Sequence, residues 1–196
     1  MFLLLGAVVA GVAIGFVVGG SLRHLAEVRF RWWGLAFLAA GLQLIPVPSG
    51  EERWIGAALL MASFACLIAF MALNIRLPGL WLVAVGFALN LLVIGFNGGM
   101  PVRDSALAAA YREGYPDQRR ELLAGGQTKH HLERPDDELM ALADVIPVGA
   151  PIRQVLSVGD IVWLVGTVWV VAGLMRPRPE LVIDAPEERL ESERQR

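Results

Sequence analysis

The chain has 196 residues, of which 56% are hydrophobic and 18% charged; a water-soluble domain is roughly half apolar and about a quarter charged, so the balance points to lipid as the solvent. A net charge of −2 and the lack of a basic stripe interleaved with aromatics exclude nucleic acid as a partner. The single cysteine, Cys66, excludes an intramolecular disulfide and a paired-thiol metal site.

Most of the charges fall in residues 101–154 and 176–196. A bilayer demands such clustering, because an ion at its centre costs at least about 2.5 kcal/mol. Five stretches approach the roughly 20 apolar residues that cross a hydrocarbon core as helix. The first, residues 1–20, has no ionisable side chain, no basic n-region and no A-x-A-like cleavage site, so it reads as a permanent anchor. Its small residues Ala7, Gly11, Gly15 and Gly19 recur at every fourth position, a spacing that lets helix backbones approach closely. The expected partner is another span of the same chain, with a homodimer or another protein partner through Gly11, Gly15 and Gly19 as the alternative.

The second stretch, 30–47, is the weakest, interrupted by Gln43 and ended by Pro46 and Pro48. The third and fourth, 54–73 and 80–98, open near Trp54 and Trp81, whose amphipathic rings suit the interface. On the fourth, Gly86, Asn90 and Asn97 share one side, because four and seven residues are about one and two turns. Asn97-Gly98-Gly99-Met100-Pro101 then reads as a helix stop followed by a rigid exit.

From residue 101 to 154 the composition is polar, with seven basic and nine acidic residues, so no patch for anionic lipid is expected. Helical pieces are expected over 104–113, 116–124 and 135–143, the last opening with Asp136, Asp137 and Glu138 at its positive end. Residues 127–131, Gln-Thr-Lys-His-His, carry no clear periodicity, and 144–154 reads as an irregular return. So short a segment buries little core alone, so a lid on the bundle's outer end is expected.

The fifth stretch, 158–175, begins with Ser157-Val158-Gly159-Asp160, close to a capping box with Asp in place of Glu or Gln. Gly159, Gly166 and Gly173 lie seven apart, as do Asp160 and Thr167. This small, polar face is expected to pack on that of the fourth span. The tail, 176–196, is expected to be disordered.

The short connections set the orientation. Arg23, Arg29, Arg31, Arg76, Arg176 and Arg178 lie on one side and Arg53 alone on the other, six against one. This predicts a cytoplasmic tail, an external N-terminus and an extracytoplasmic 101–154 segment.

Polar residues near the outer boundary are the candidate site. For Asp160 capping is the first reading and a working site the second; for Asn90, hydrogen bonding between helices comes before ligand binding. Asn97 with Gly98 and Gly99 could turn backbone N–H groups toward a ligand, completing a ligand-binding set of Asn90, Asn97, Gly98, Gly99 and Asp160. His130 and His131 lack metal-ligand spacing, so surface histidine is the bland reading and acid/base chemistry with Asp144 or Asp160 the sharp one. The sequence carries no cofactor or metal signature.

Asn90, Asn97-Gly98-Gly99-Met100-Pro101, Lys129-His130-His131, Leu142-Ala143-Asp144-Val145-Ile146-Pro147 and Ser157-Val158-Gly159-Asp160 together resemble a family of small bacterial multispanning membrane proteins known only as a domain of unknown function. The resemblance spans roughly residues 1–175 and implies a bacterial cytoplasmic membrane; it brings no activity with it.

The expected fold is all-α: a polytopic membrane bundle of four helices in residues 1–100, a lid of short helices over 101–154, a fifth helix in 155–175 and a cytoplasmic tail. The favoured function is a non-catalytic binding, scaffold or accessory protein with a polar extracytoplasmic pocket for a lipid headgroup, a small ligand or a partner. The alternative is a hydrolase or transferase acting on a lipid-linked substrate at the same face. That alternative requires His130 or His131 within about 5 Å of Asp144 or Asp160, close enough for a proton to pass through one water. A transporter ranks third, for want of an inverted repeat.

Overall fold

The structure is a computed structural model and describes residues 2–45, 53–123 and 130–177. Pro46, Pro48, Lys129 and the tail from residue 178, all singled out above, lie outside the described residues. The protein is mostly helical. Five apolar helices form the bundle: α1 (Phe2–Val17), α3 (Gly34–Leu44), α4 (Arg53–Leu73), α5 (Leu80–Asn97) and α8 (Val158–Leu174). They pack in the order α1, α8, α5, α4, α3, with α8, the last of the described helices, inserted between the first and the rest.

Glycine explains that insertion. A Cβ on Gly86 would lie 2.6 Å from the carbonyl oxygen of Gly159, and one on Gly166 would lie 2.6 Å from the backbone nitrogen of Val83, so α5 and α8 touch backbone to backbone. On its other side α8 meets the α1 stripe, where a Cβ on Gly11 would lie 2.7 Å from Val171 Cβ and Gly15 faces Met175. The stripe thus finds its partner within the chain. Gly19 stands apart from it, in a left-handed turn at φ 79° with open space around it.

Polar side chains secure the other joints. Ser63 on α4 donates to the carbonyl of Ala39 on α3 at 2.9 Å and accepts from Gln43 at 2.8 Å. Asn74 clamps both the N–H and the carbonyl of Arg31, ahead of α3, at 2.8 and 2.9 Å. At the end of α8 the Met175 carbonyl accepts from the Ser21 N–H at 2.8 Å and from Nδ1 of His24, on the short α2 (Leu22–Ala26), at 2.9 Å. The free carbonyls of a helix C-terminus need such donors.

Helix α5 is long and apolar enough to cross a membrane, and only 17% of it is buried within the protein. Helices α1, α3 and α8 are apolar and shorter, at 16, 11 and 17 residues. The stretch expected over 30–47 yields only the 11 residues of α3, about 16 Å of helix at 1.5 Å per residue.

Between α5 and α8 the chain builds a mixed segment rather than the short-helix lid expected from sequence. It contains β1 (Met100–Val102), α6 (Asp104–Tyr111), a 3₁₀ turn (Arg112–Gly114), α7 (Tyr115–Leu123), β2 (His130–Leu132), β3 (Ile146–Val148) and β4 (Gln154–Leu156). Strand β1 pairs in parallel with β2, setting Met100 opposite His130, and β3 and β4 form an antiparallel pair over the supposedly irregular return. The helix expected over 135–143 is absent. Asp137 turns its carboxylate onto the backbone N–H of Arg134 at 2.7 Å, the local bond by which Asp competes with helix, and Leu139 adopts φ 57°. The segment is moored to α5 by a cluster of Val93, Met100 and Ala143 and has its own core of Val102, Leu107 and Leu122.

Candidate functional site

Two aspartates mark the polar end of the bundle, and their surroundings differ. Asp160 stands in the first turn of α8. The capping box forms: Ser157 Oγ accepts from the Asp160 N–H at 2.9 Å, and Asp160 Oδ2 accepts from the Ser157 N–H at 3.2 Å. The other carboxylate oxygen accepts from Asn90 Nδ2 at 2.8 Å and from the Trp163 indole at 3.0 Å. Ser157, fully buried, donates from its hydroxyl to Asn90 Oδ1 at 2.8 Å. Asn90 therefore joins α5 to α8 with both ends of its amide, and the capping and interhelical readings hold together.

Asp144 is placed by its backbone. Its N–H donates to the carbonyl of Pro101 at 3.1 Å and its carbonyl accepts from the Arg103 N–H at 2.9 Å, so it runs beside β1 while His130 on β2 runs along the other edge. The side chain is 7% exposed and its Oδ2 lies 3.6 Å from His130 Nε2. Among the described residues no hydrogen bond reaches this carboxyl group, and the imidazole stands just beyond hydrogen-bonding distance. Burial, with a smaller contribution from the facing Asp160, pushes the Asp144 carboxyl up from 3.8 to about 8.

His130 and Asp144 form a wall shared by two cavities. The inner, of about 140 Å³, is lined by Gln43, Leu60, Phe64, Asn90, Ile94, Met100 and Asp160 besides the pair. The outer, of about 270 Å³, is bounded by Val102, Leu107, Tyr111, Gln118, Leu122, Gln154 and Val155 together with the pair. Neither lining contains Lys, Arg, Ser, Thr or Cys among the described residues.

Of the candidates from sequence, Asn90, His130, Asp144 and Asp160 thus meet around one cavity. His131 does not join them. Its Nε2 lies 3.0 Å from Asp137 Oδ1, both side chains nearly buried, and it ties β2 to the 134–137 turn. Asn97 is engaged too: its amide bonds the N–H and carbonyl of Glu138 at 2.7 and 2.9 Å, binding the end of α5 to the segment above. Asn97 was expected to share the α5 face that meets α8, and it turns to this loop instead. Gly98 supplies the left-handed residue after the helix, at φ 66°, and Gly99 is buried beside it; none of Asn97, Gly98 and Gly99 lines either cavity. No group of three or more His, Cys, Asp or Glu that could hold a metal gathers among the described residues.

Sequence reasoning missed Trp163, whose spacing of three from Asp160 was the available signal, and Gln43, the one amide in its stretch. The role of Ser157 as donor to Asn90 left no trace in sequence, because it depends on the register of α5 against α8.

Fold and site together define a helical bundle with a mostly apolar exterior, closed at one end by a polar, partly β-structured cap. The chain belongs to a family of unknown function, DUF5317, which matches residues 27–172. It is similar to an uncharacterized protein of Thermotoga maritima, 29% identical over 153 residues that make up 76% of this chain and 79% of that protein. No solved structure matches the chain.

Proposed function

We propose that this chain is a multi-pass protein of the bacterial cytoplasmic membrane whose extracytoplasmic end binds a small polar ligand or lipid headgroup without transforming it. In this reading α1, α3, α4, α5 and α8 are the spans, the N-terminus is outside, residues 100–156 are the lid and the C-terminus is cytoplasmic. Large apolar side chains exposed on the bundle, among them Phe2, Leu5, Val9, Phe37, Phe96 and Trp169, support lipid as its surroundings. A core helix of a soluble protein would be covered, and α5 is not. The shorter helices fit a hydrocarbon core by local thinning of the bilayer, at a fraction of a kcal/mol per Å.

One observation carries the binding reading: among the described residues the buried Asp144 carboxyl group has no hydrogen-bond donor, and it lies in the wall between two cavities. Buried polar groups in folded proteins are nearly always satisfied, so a group left open beside empty space is where a ligand's donors would go. Binding ranks above catalysis because, among the described residues, the linings offer no hydroxyl of Ser or Thr, no thiol and no amine as nucleophile. Ser157 is committed to Asn90 and the cap.

The test is thermal denaturation of the purified protein against a panel of headgroup fragments, alone and as Asp144→Asn. At least one fragment should stabilise the wild type and leave the variant unmoved; a panel with no effect on either removes the binding reading. Orientation is tested separately. In a Cys66→Ala background, Ser105→Cys, exposed on α6, should react with a membrane-impermeant maleimide in intact cells.

A hydrolase or transferase is the second reading, favoured by the 3.6 Å separation of His130 and Asp144, inside the limit set for proton transfer through one water. Water would have to be the nucleophile. His130→Gln should then abolish turnover of a lipid-linked substrate while leaving fragment binding in place.

A further inference from the structure

We infer that the ligand's binding group is a small protonated amine, seated in the inner cavity against Asp144. This rests on the binding reading above and gives it a chemical class. Burial by itself favours the neutral acid at Asp144, and an ammonium reverses this by bringing positive charge and three donors together, so that the proton leaves and the carboxylate accepts. Asp160 faces the same cavity with its oxygens already taken by Ser157, Asn90 and Trp163. It therefore adds negative potential without offering itself as a second ligand.

The rest of the lining agrees. Two carboxyl groups, the His130 imidazole and no Lys or Arg border the inner cavity among the described residues, so the balance of its lining favours a cation over a phosphate or carboxylate. Phe64 also lines the cavity, and an aromatic ring is a favourable neighbour for a cation. The size is selective too. About 140 Å³ is below the range of roughly 300 Å³ upward that takes a drug-sized ligand, and suits a group of a few heavy atoms. Because His130 and Asp144 also border the outer cavity, of about 270 Å³, the remainder of a larger molecule has a place beyond the pair. An aminoalcohol free in solution and the amine of a lipid headgroup share this chemistry.

The experiment uses the full chain in detergent and in nanodiscs, in phosphate buffer so that the buffer itself supplies no amine. Ethanolamine is compared with ethylene glycol, its neutral isostere, and with glycolate, the anionic counterpart, at equal ionic strength, by thermal shift and calorimetry. Ethanolamine should bind at least about tenfold more tightly than either, the margin expected when a charge-assisted bond replaces a neutral one. Asp144→Asn, close in shape and checked for folding by circular dichroism, should remove that preference. Nanodiscs of phosphatidylethanolamine that stabilise the protein over nanodiscs of phosphatidylglycerol, and that block soluble ethanolamine, would identify the lipid as the source; equal behaviour in the two lipids would identify the free amine. Ethylene glycol or glycolate binding as well as ethanolamine would overturn the amine assignment and leave the pocket reading intact. If no probe binds in either setting, water satisfies Asp144 and both readings fall.

Discussion

The seam between α5 and α8 and the wall between the two cavities each carry an aspartate at the same end of the molecule, half-buried in the seam and buried in the wall, and chemistry has finished the first and left the second open. Asp160 accepts three hydrogen bonds from Ser157, Asn90 and Trp163. Asp144, more deeply buried, has among the described residues an imidazole at 3.6 Å and no hydrogen-bond donor to its carboxyl group. A satisfied carboxylate fixes geometry, because each partner holds the others in register. An unsatisfied one costs stability, and a protein keeps such a group where it has a use for it.

Breaking the seam should have the largest effect. A methyl group on Gly159 would press on Asn90 and lie 2.7 Å from the carbonyl of Gly86, where neither backbone can give way. Overpacking costs about 1–3 kcal/mol, and loss of the Asn90 bonds adds to it. Gly159→Ala should therefore lower the melting temperature of the detergent-solubilised protein by roughly 5–10 °C. A melting curve that does not move would show that α5 and α8 are not in backbone contact.

Asp160→Ala comes next. It strips the cap, at about 1 kcal/mol, and takes the acceptor from the Asn90 amide and the Trp163 indole, which are only half-buried and can turn to water, so the loss stays below that of Gly159→Ala. Asp160→Asn keeps the shape and one acceptor, so it should recover part of the loss; equal damage from both variants would mean that charge, not bonding, holds the seam.

Asp144 should answer with the opposite sign. The folded protein keeps a proton on this carboxyl group up to about pH 8, whereas an unfolded chain gives it up near 3.8. Between those values the native state holds more protons than the unfolded one. Its contribution to stability is therefore complete below about 3.8, falls as pH rises through the window and is gone above about 8. Asp144→Asn cannot ionise, so its stability should fall less between pH 6 and 9 and exceed that of wild type at pH 9. Parallel melting profiles for the two proteins would remove the buried, raised carboxyl group.

The smallest effect belongs to the periphery. Arg120 and Asp117 pair on α7 with about three-quarters of each side chain in solvent, and such pairs contribute between nothing and about 1 kcal/mol. Arg120→Ala should leave melting within about 3 °C of wild type; a larger drop would give α7 a role in holding the outer cavity shut.

Much of the bundle was legible in the sequence because its rules are local. Hydropathy marked all five apolar stretches, the Ser157-x-x-Asp160 spacing announced a capping box that formed, and glycines at positions 86, 159 and 166 announced close packing that the backbones make. The limits lay where one local rule met another. Over 135–143 the acidic start suited a helix, yet Asp137 spent its carboxylate on the Arg134 N–H and on His131, and turns resulted. Asn97 matched the α5 face by periodicity, but its amide found Glu138, forty-one residues later.

Apolar length, the placement of charge and the spacing of small residues were determined by the sequence alone, since each depends on neighbours within a few turns of the same helix. The meeting of His130 with Asp144, the choice of Asn90 over Asn97 as the partner of Asp160 and the two cavities on either side of one wall were decided only in the tertiary structure. Each requires β1 to run between two strand-like segments while α8 inserts beside α5, and pairings so distant in the chain leave no periodicity behind them.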